Sequence, residues 1–546
     1  MISAPVPVQV IELSMDELRS IIARSNEGLS SKDREALSAL VESYGLLLGE
    51  IGDKRASIER LRHLVFGAKT ESKANVMRRA GKTPASDCDE EEPKEKPRPR
   101  RKGHGRIPAE AYTGTERVKI PLDGFKPGGP CTECTGRVYG QKPRLIVRIH
   151  GFAPFNGTTY ERECSRCNLC GTVFKAELPA GIGEKKFDET VASMAALLRY
   201  GSGLPMNRIE ELQKGLGVPF PASTQWELMR DAAELMQAAY LELIRQAAQG
   251  EVLYNDDTTM RILDFITEQN KRKARGEKPP NRTGTFTSGI VSALPGGRKV
   301  VLYFTGQQHA GENLARVLAE RASDLDPPIQ MCDGLSRNAP GEMKTILSNC
   351  LTHARRQFVD VAVGFPEEVE HVIEELSLIY RNDARTKREG MSAQERLLFH
   401  RQESGPIMER LEIWLKELLD EKKVEPNSGL GKAIAYTQKR WLELTLFLRE
   451  PGAPLDNTLT ERMLKKAIIH RKNSMFYRTA KGAAVGDLYM ALIATAKLAG
   501  VEPFDYLNAL QRHTEEVAAN PADWMPWSYQ KSRLELQAAA AAAAPL

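Results

Sequence analysis

The chain has 546 residues, which is too long for one compact core and predicts several domains. Its composition, with 41% hydrophobic and 6% aromatic residues, is that of ordinary globular proteins. No stretch approaches the roughly 18–20 apolar residues of a membrane span, and residues 1–12 lack the pattern of a signal peptide. We therefore expect a soluble, cytoplasmic protein with no membrane partner. The net charge of +5 is small for this length and does not by itself indicate nucleic-acid binding.

The first predicted element is a helical region from Val10 to Phe66. From Leu37 to Val65, apolar residues recur in alternating steps of three and four, the spacing of one helix face, and Gly67 is a typical helix-ending glycine. The region is long enough for a short coiled coil, which would make a homo-oligomer. A helical hairpin packed on its own chain fits the same spacing.

Residues 68–107 form a charged segment that is poor in large apolar residues and is predicted to be a mostly disordered linker. Between Pro93 and Lys102 it carries six basic residues interspersed with prolines, a composition typical of tethers that follow phosphate backbones. An acidic run at 87–92 partly cancels this charge, and a solvated linker without nucleic-acid contact explains the pattern equally well.

Five of the eight cysteines lie within residues 131–170, and in a cytosolic chain this clustering favours metal over disulfides. Two C-x-x-C pairs offer four thiolates to one tetrahedral, structural Zn²⁺. The predicted ligands are Cys131, Cys134, Cys167 and Cys170. Gly171 follows the second pair, where a knuckle turn favours a residue without Cβ. Cys164 lies three residues before Cys167 and makes 164/167 a competing pair.

The zinc assignment predicts about one Zn²⁺ per chain in metal analysis of the purified protein. Changing Cys167 and Cys170 together to Ser should remove the metal, because two of the four thiolates are lost. A zinc-free wild-type protein would contradict the assignment. Retention of zinc after Cys170→Ser alone would give the fourth ligand to Cys164.

Residues 186–249 are predicted to be helical, with breaks at 201–205 and 215–221, and to bind DNA or connect domains. After Gly250 the pattern changes to short β-prone runs separated by turn signals. These runs are Val252–Tyr254, Thr285–Ala293, Lys299–Phe304 and Ile329–Met331. The first three suggest a meander, and a helical stretch precedes the fourth.

The remainder of the chain is predicted to be helical almost throughout. Helices fill residues 342–449, a turn spans 451–457, and a further helical stretch spans 458–499. The alanine run at 538–544 is low in complexity and is interpreted as functionally silent.

Acidic residues follow two of the β-prone runs. Asp256 and Asp257 come directly after the first run, and Asp333 closely follows the fourth. Phosphoryl transfer with two Mg²⁺ ions requires oxygen ligands from separate chain segments, and strand-end aspartates with a helical glutamate meet that need. The helical candidate is Glu461. Its alternative role is structural, because Thr458-x-x-Glu461 is also a capping box, and each aspartate taken singly also fits an ordinary strand-end or turn residue.

Two basic clusters accompany these carboxylates. Thr352–Phe358 contains His353, Arg355 and Arg356, and residues 470–473 contain Arg471 and Lys472. Cationic groups near a metal site that handles DNA would hold phosphates. A solvated helix face accounts for each cluster equally well on pattern alone.

Several short motifs follow one another in a characteristic order between about residues 55 and 510. They are Leu61–Lys73, the cysteine pairs, Leu204–Arg208, Pro221–Thr224, Asp256–Thr258, Asp333–Leu335, Thr352–Phe358, Asp456–Arg462 and Arg471–Phe476. This order resembles the DDE transposases of the bacterial insertion sequence sixty-six family, often called TnpC. The chain departs from the family motifs at four positions, and none of them removes a metal ligand. These positions are Leu335 for Tyr, Thr352 for Ala, Gln357 for Lys and Thr458 for Asn.

The resemblance implies a multidomain α+β protein: an RNase H-like α/β core with a helical insertion, preceded by a helical or coiled-coil region and a small zinc-binding domain. It implies that Asp256, Asp333 and Glu461 form the catalytic triad and bind Mg²⁺ or Mn²⁺. It also implies DNA contacts, made by the following residues: His353, Arg355, Arg356, Arg462, Arg471 and Lys472. DNA, both transposon ends and target, is the implied partner, together with further copies of the chain and accessory proteins of the same element.

The resulting division of the chain has eight parts. They are an N-terminal helical region at 1–67, a linker at 68–107, a zinc-binding domain at 108–185, a helical DNA-binding or connecting region at 186–249, the first part of the core at 250–360, a helical insertion at 361–449, the C-terminal helical part of the core at 450–500, and a tail at 501–546. Three functions remain open at this point: a transposase, an RNase H-like nuclease or resolvase without strand transfer, and a catalytically inactive zinc-containing DNA-binding protein.

Overall fold

The computed structural model describes residues 73–80, 139, 153–161, 163–166, 173–175, 185–278 and 282–543. The predicted coiled coil and nearly all of the linker lie outside these residues, as do the four zinc-ligand cysteines. The described residues fall into two compact units, 73–80 with 361–370, and the remainder. In the first unit, Val76 and Met77 are buried, and Lys73 forms an ion pair with Glu370 at 3.2 Å.

The described strands and helices are numbered here in chain order. The strands are β1 Cys164–Arg166, β2 Val173–Lys175, β3 Val252–Thr259, β4 Phe286–Ala293, β5 Lys299–Gly306, β6 Ile329–Cys332 and β7 Ile346–Asn349. The helices are α1 Lys73–Arg79, α2 Glu189–Ala196, α3 Met206–Gly215, α4 Ala222–Leu235, α5 Gln237–Ala248, α6 Leu263–Ala274, α7 Ala310–Leu318, α8 Leu351–Val359, α9 Pro366–Arg388, α10 Ala393–Phe399, α11 Gly405–Asp420, α12 Gly429–Lys439, α13 Trp441–Leu444, α14 Thr458–Ser474, α15 Ala480–Leu498, α16 Pro503–Arg512, α17 Thr514–Ala519 and α18 Tyr529–Ala543.

The central sheet of the second unit is mixed and has the strand order β5-β4-β3-β6-β7 within the described residues. Strands β3, β4 and β5 pair antiparallel, which confirms the predicted meander, and β6 and β7 run parallel to β3. Strand β7 lies in a stretch that was predicted to be helical, and that prediction is wrong. Its four residues are too few for a clear period-2 pattern, so pairing with β6 decides their conformation.

Helices cover the sheet and bury most of its apolar side chains. Helix α15 packs against β5 and is buried along most of its length, and α5 contacts the same strand. The predicted helical region at 186–249 contains α2 to α5, with breaks near the predicted positions. Within the described part of the chain, no helix is both long enough and apolar enough to cross a membrane.

The C-terminal residues differ from the predicted tail. Residues 503–543 contain α16, α17 and α18, and their aromatic side chains Tyr506, Trp524 and Tyr529 are buried in the main core. Burying these large rings removes much apolar surface from water and holds the segment against the fold. The terminal alanines, which were interpreted as functionally silent, form only the end of α18.

Candidate active site

The register of the parallel strands brings Asp256 and Asp333 together. Tyr254 of β3 pairs with Met331 of β6, and each aspartate follows its strand's paired residue by two positions. Side chains two positions apart point to the same face of a strand, and neighbouring strands lie about 4.8 Å apart. The two carboxylates therefore lie side by side. They are located just beyond the last residue pair between β3 and β6, where β6 ends.

Glu461 reaches the same edge of the sheet from α14. The amide of Asn457, at the start of this helix, donates to the Asn255 carbonyl at 3.1 Å. One turn after Glu461, Leu464 packs over Gly289, the β4 residue that pairs with Asp256. A Cβ at Gly289 would lie 2.8 Å from the Leu464 side chain, so the absence of a side chain lets α14 lie close to the strands.

The charges of Asp333 and Glu461 both act on Asp256. Burial, together with the negative charges of Asp333, Glu461 and Asp257, raises the pKa of Asp256 to about 7. The backbone N–H of Asp257 donates to Asp256 Oδ1 at 2.7 Å and opposes this shift. A divalent cation bound beside Asp256 would lower this pKa, because its positive charge favours the ionised carboxylate and offsets the negative charge of all three groups.

The hydrogen bonds of α14 exclude a capping role for Glu461. The residue at the N-cap is Asn457, and its backbone N–H donates to Cys350 Sγ rather than to Glu461. Glu461 therefore lies one position too late for a capping box, which places the acidic residue third in the helix. Its buried Oε1 has no hydrogen-bond partner among the residues that the structure describes.

A network of buried carboxamides links the segments that carry the carboxylates. Asn255 Nδ2 and Gln330 Nε2 both donate to the Asn338 carbonyl, at 2.9 and 2.7 Å. Asn338 Nδ2 in turn donates to Asp333 Oδ1 at 2.5 Å. Asn457 completes the network through the Asn255 carbonyl. Asn338 Oδ1 and Asn457 Oδ1 are buried without a hydrogen-bond partner among the described residues, so the network is only partly satisfied. Its hydrogen bonds nevertheless join β3, β6 and α14 directly.

Helix α12 and Arg440, the residue after it, hold the turn that contains Asp333. The Tyr436 hydroxyl donates to the Asp333 carbonyl at 2.9 Å, and the Arg440 guanidinium donates to the Gly334 carbonyl. Gly334 has a φ of +76° and leaves no room for a Cβ against Asn349 and Arg440. Helix α12 and the residue that follows it therefore position the second carboxylate.

The carboxylates beside the candidate triad are engaged elsewhere. Asp257 points to the opposite face of β3, where it accepts from Ser288 Oγ at 2.7 Å and lies 3.0 Å from His309 Nδ1. Asp456 accepts from the backbone N–H of Thr458 at 3.1 Å, at the start of α14. Asp257 and Asp456 are therefore held by contacts of the fold, and Glu461 stays the predicted third ligand.

Comparison with known protein families gives a match over residues 185–485, which is more than half of the chain, to the family described as Transposase IS66 family. The chain belongs to this family. Membership implies an enzyme of the nuclease or transposase type that acts on DNA. The matched residues contain the sheet, the three carboxylates and the helical insertion.

Similar proteins come from Sinorhizobium fredii (strain NBRC 101917 / NGR234). The uncharacterized protein y4jD is 26% identical over 386 residues, which are 67% of this chain and 71% of the relative. The uncharacterized protein y4qI is 26% identical over 379 residues, 66% of each chain. The uncharacterized protein y4hP is 22% identical over 440 residues, 76% of each chain.

The candidate DNA-binding residues of this IS66 family member lie on two helices. His353, Arg355 and Arg356 lie on α8, and His353 Nε2 is 3.7 Å from Glu461 Oε1. Arg462 and Lys472 are exposed on α14. In the first basic cluster, His353 therefore adjoins Glu461. Arg462 follows Glu461 in α14, and the second cluster, at 470–473, lies at the far end of that helix.

Arg471 and its neighbour His470 have structural contacts. Arg471 Nη1 donates to Thr258 Oγ1 at 3.1 Å and to the Thr259 carbonyl at 2.6 Å, which ties α14 to β3. His470 is buried between the rings of Tyr200 and Tyr477, and burial lowers its pKa to about 3. His470 is therefore a neutral core residue, and Arg471 has at least one nitrogen committed to the fold.

Sequence reasoning missed the residues that position the carboxylates. Asn338, Tyr436 and Arg440 belong to no recognisable motif, and nothing in their spacing places them near Asp333. Gly289 likewise carries no signal beyond being a glycine within a β-prone run. Asn457 alone was within reach, because it lies in the motif that includes Glu461.

The contact at Gly289 gives a testable prediction. Gly289→Ala should lower the cleavage rate by about 100-fold, because the new Cβ pushes Leu464 and α14 away from β3, and small misplacements of catalytic groups have effects of this size. Cleavage kinetics of the variant test this. The double variant Gly289→Ala, Leu464→Ala reopens the space and should recover much of the rate. A fully active single variant would contradict the prediction.

Proposed function

We propose that this protein is a DNA transposase that cuts the ends of its insertion sequence and joins the freed 3′-OH to target DNA. The observation that carries the proposal is the meeting of Asp256, Asp333 and Glu461 from two strands and one helix. The strand order β5-β4-β3-β6-β7, with the first three strands antiparallel and the last two parallel to β3, supports an RNase H-like core. Helices α9 to α13 would be its helical insertion.

The donor set fits Mg²⁺ or Mn²⁺, which prefer carboxylate oxygens. The mutual repulsion of the three carboxylates and the Glu461 oxygen that accepts no hydrogen bond favour a cation at this site, where His353 is the basic side chain nearest to Glu461 among the described contacts. No group of three or more His, Cys, Asp or Glu side chains in the described ranges is already arranged to hold an ion. Metal binding would therefore involve rotation of these side chains toward a common point. When bound, two divalent cations would lower the pKa of the attacking oxygen and stabilise the leaving oxygen.

The reaction would proceed in two phosphoryl-transfer steps. In cleavage, the oxygen of water bonds to phosphorus and the bond to the 3′ oxygen breaks, which leaves a 3′-OH and a 5′-phosphate. In strand transfer, that 3′-OH oxygen bonds to a target phosphorus, and the target's own 3′ oxygen leaves and takes up a proton. The three carboxylates would hold the cations that place the reacting groups together, and the carboxamide network would orient those carboxylates.

The basic residues would position DNA on either side of the carboxylates. His353, Arg355 and Arg356 would hold the phosphates nearest the cut, and Arg462 and Lys472 would follow the backbone along α14. Arg471 would contribute only with the nitrogens that β3 does not engage. The zinc-binding domain, self-association and accessory proteins of the element complete the proposal. The four predicted zinc ligands and the predicted coiled coil lie outside the described residues.

The decisive experiment incubates the purified full chain with DNA ends of its own element and Mg²⁺ or Mn²⁺. Joined DNA products support the transposase. Cut but unjoined DNA would indicate a nuclease or resolvase, and binding without metal-dependent cutting would indicate an inactive DNA-binding protein. The Asp256→Asn variant is the control for contaminating nucleases.

A further inference from the structure

The turn that follows α14 has a strained backbone. Met475 has φ +66° and ψ −41°, and the backbone N–H of Phe476 donates to the Ser474 carbonyl at 2.8 Å. This geometry is that of a classic γ-turn, which is rare and strained for a residue with a side chain. Among the non-glycine residues that the structure describes, positive φ otherwise occurs at Lys422 alone. Strain of this kind persists only where surrounding contacts enforce it, and it is often found at functional sites.

The contacts that enforce the turn come from the next residue, Tyr477. Its backbone N–H donates to the Arg261 carbonyl at 2.8 Å, and its carbonyl accepts from Leu263 at 3.0 Å. Its ring is buried and stacks on His470 with centroids 4.6 Å apart. Gly486 provides the space for that ring, since a Cβ there would lie 3.0 Å from Tyr477 Cε1.

Because Tyr477 is buried, the two residues before it, Met475 and Phe476, lie at the surface. The Met475 side chain is 66% exposed and that of Phe476 is 39% exposed. Single exposed apolar residues are common on proteins and need no explanation. Here two adjacent large apolar residues are kept exposed by a strained turn, and the contacts of the buried Tyr477 fix the end of that turn.

The charge around this pair is strongly positive. Residues 462–478 contain no acidic residue. They contain six basic residues, namely Arg462, Lys465, Lys466, Arg471, Lys472 and Arg478. Arg462, Lys465 and Lys472 are exposed and recur at the helical spacing of one face of α14, and Arg478 is exposed just beyond Phe476. A second copy of the same basic surface would be repelled, whereas the phosphates of DNA would be attracted.

The dimensions of α14 set where such DNA would meet the pair. The helix rises about 1.5 Å per residue, so Ser474 lies about 20 Å along the axis from Glu461. Base pairs of B-DNA are spaced about 3.4 Å apart. A duplex lying along α14 with its reacting phosphate at the carboxylates would therefore present its sixth base pair, approximately, to Met475 and Phe476.

We propose that Met475 and Phe476 form a wedge that opens a base step of the element's end duplex, about six base pairs from the cleaved phosphate. This inference rests on the proposed function, because it takes the position of the cut from the carboxylates. Apolar side chains inserted between bases unstack and kink the duplex, which brings more of its backbone against a basic surface. The strained turn holds the wedge in place before DNA arrives.

The test uses full-length protein, Ca²⁺ in place of Mg²⁺, and terminal duplexes that carry 2-aminopurine at successive positions. Its fluorescence rises when the base loses its neighbours. Wild-type protein should produce a several-fold rise confined to about the fifth to seventh base pair. Phe476→Ala should abolish the rise, and Phe476→Trp should retain it. Leu534→Ala, which removes an exposed apolar side chain from α18, is the matched control and should behave as wild type.

A second variant separates wedge loss from misfolding. Met475→Gly should melt at the same or a higher temperature than wild type, because glycine adopts positive φ without strain, yet it should reduce the fluorescence rise at least twofold. If the 2-aminopurine fluorescence rise is unchanged in both Phe476→Ala and Met475→Gly, the wedge proposal is wrong. It is also wrong if these variants change only the self-association of the protein, measured by sedimentation. A wild-type protein that cuts DNA but opens no base step refutes this inference alone. A wild-type protein that cuts no DNA refutes the proposed function.

Discussion

Asp256→Asn, Asp333→Asn and Glu461→Gln should each lower DNA cleavage by several orders of magnitude while DNA binding stays largely intact. Each substitution keeps the shape of the side chain but removes one negative charge from a site that would hold two divalent ions. Loss of a helix cap would cost only about 0.5–2 kcal/mol of stability. Cleavage rates, measured beside DNA affinity and melting temperature, separate the two roles.

The matched control for these variants is Asp257→Asn. Asp257 neighbours Asp256 in the chain but points to the opposite face of β3, toward Ser288 and His309. Its amide variant should therefore keep most of the cleavage activity. If Asp257→Asn is inactive and Glu461→Gln still cuts DNA, the assignment of the third ligand is wrong.

The Asp256 variant should also change stability in a pH-dependent way. The folded protein holds the Asp256 pKa at about 7, above its ordinary value of 3.8, so folding favours the neutral carboxyl. Metal-free wild-type protein should lose stability as pH rises from about 4 to 7, by an amount on the order of 2–4 kcal/mol. Asp256→Asn lacks this titration and should melt at a higher temperature than wild type at pH 8. Added Mg²⁺ should stabilise wild type and leave the variant unchanged.

Asn338→Ala should reduce cleavage by about 10–100-fold at limiting Mg²⁺, the range typical of residues that orient metal ligands. The substitution removes the amide that donates to Asp333 Oδ1, so the carboxylate would no longer be held in one orientation. The apparent Mg²⁺ requirement should rise. Mn²⁺, which binds such ligands more tightly, should recover part of the rate.

The control for Asn338 is another buried asparagine, Asn508 on α16. Asn508→Ala should cost comparable stability without changing the Mg²⁺ requirement, because it removes a buried polar group that is outside the carboxamide network. Equal Mg²⁺ titrations for Asn338→Ala and wild type would contradict a positioning role for Asn338.

Local patterns in the sequence were sufficient for several features of the fold. The β-prone runs and their turn signals predicted the meander β3-β4-β5, and apolar spacing with Gly and Pro breaks predicted the helices at 186–249. These features depend on neighbouring residues, whose periodicity and turn chemistry are visible along the chain. Strand β7 and the C-terminal helices were missed because pairing with β6 and burial of distant aromatic rings determine them.

The candidate site shows the same division between local and tertiary information. Sequence alone nominated Asp256, Asp333 and Glu461, since acidic residues after β-prone runs and the order of motifs are local features. The expected strand end before Asp256 is wrong, because pairing with β4 continues β3 to Thr259. Only the tertiary structure decided that the charges of the three carboxylates lie near enough to interact, through the register of β3 with β6 and the close approach of α14 over Gly289. It also decided that Glu461 does not cap its helix and that Asn338 holds Asp333. The physical reason is that parallel pairing and helix packing join residues dozens to hundreds of positions apart, and no local pattern encodes those contacts.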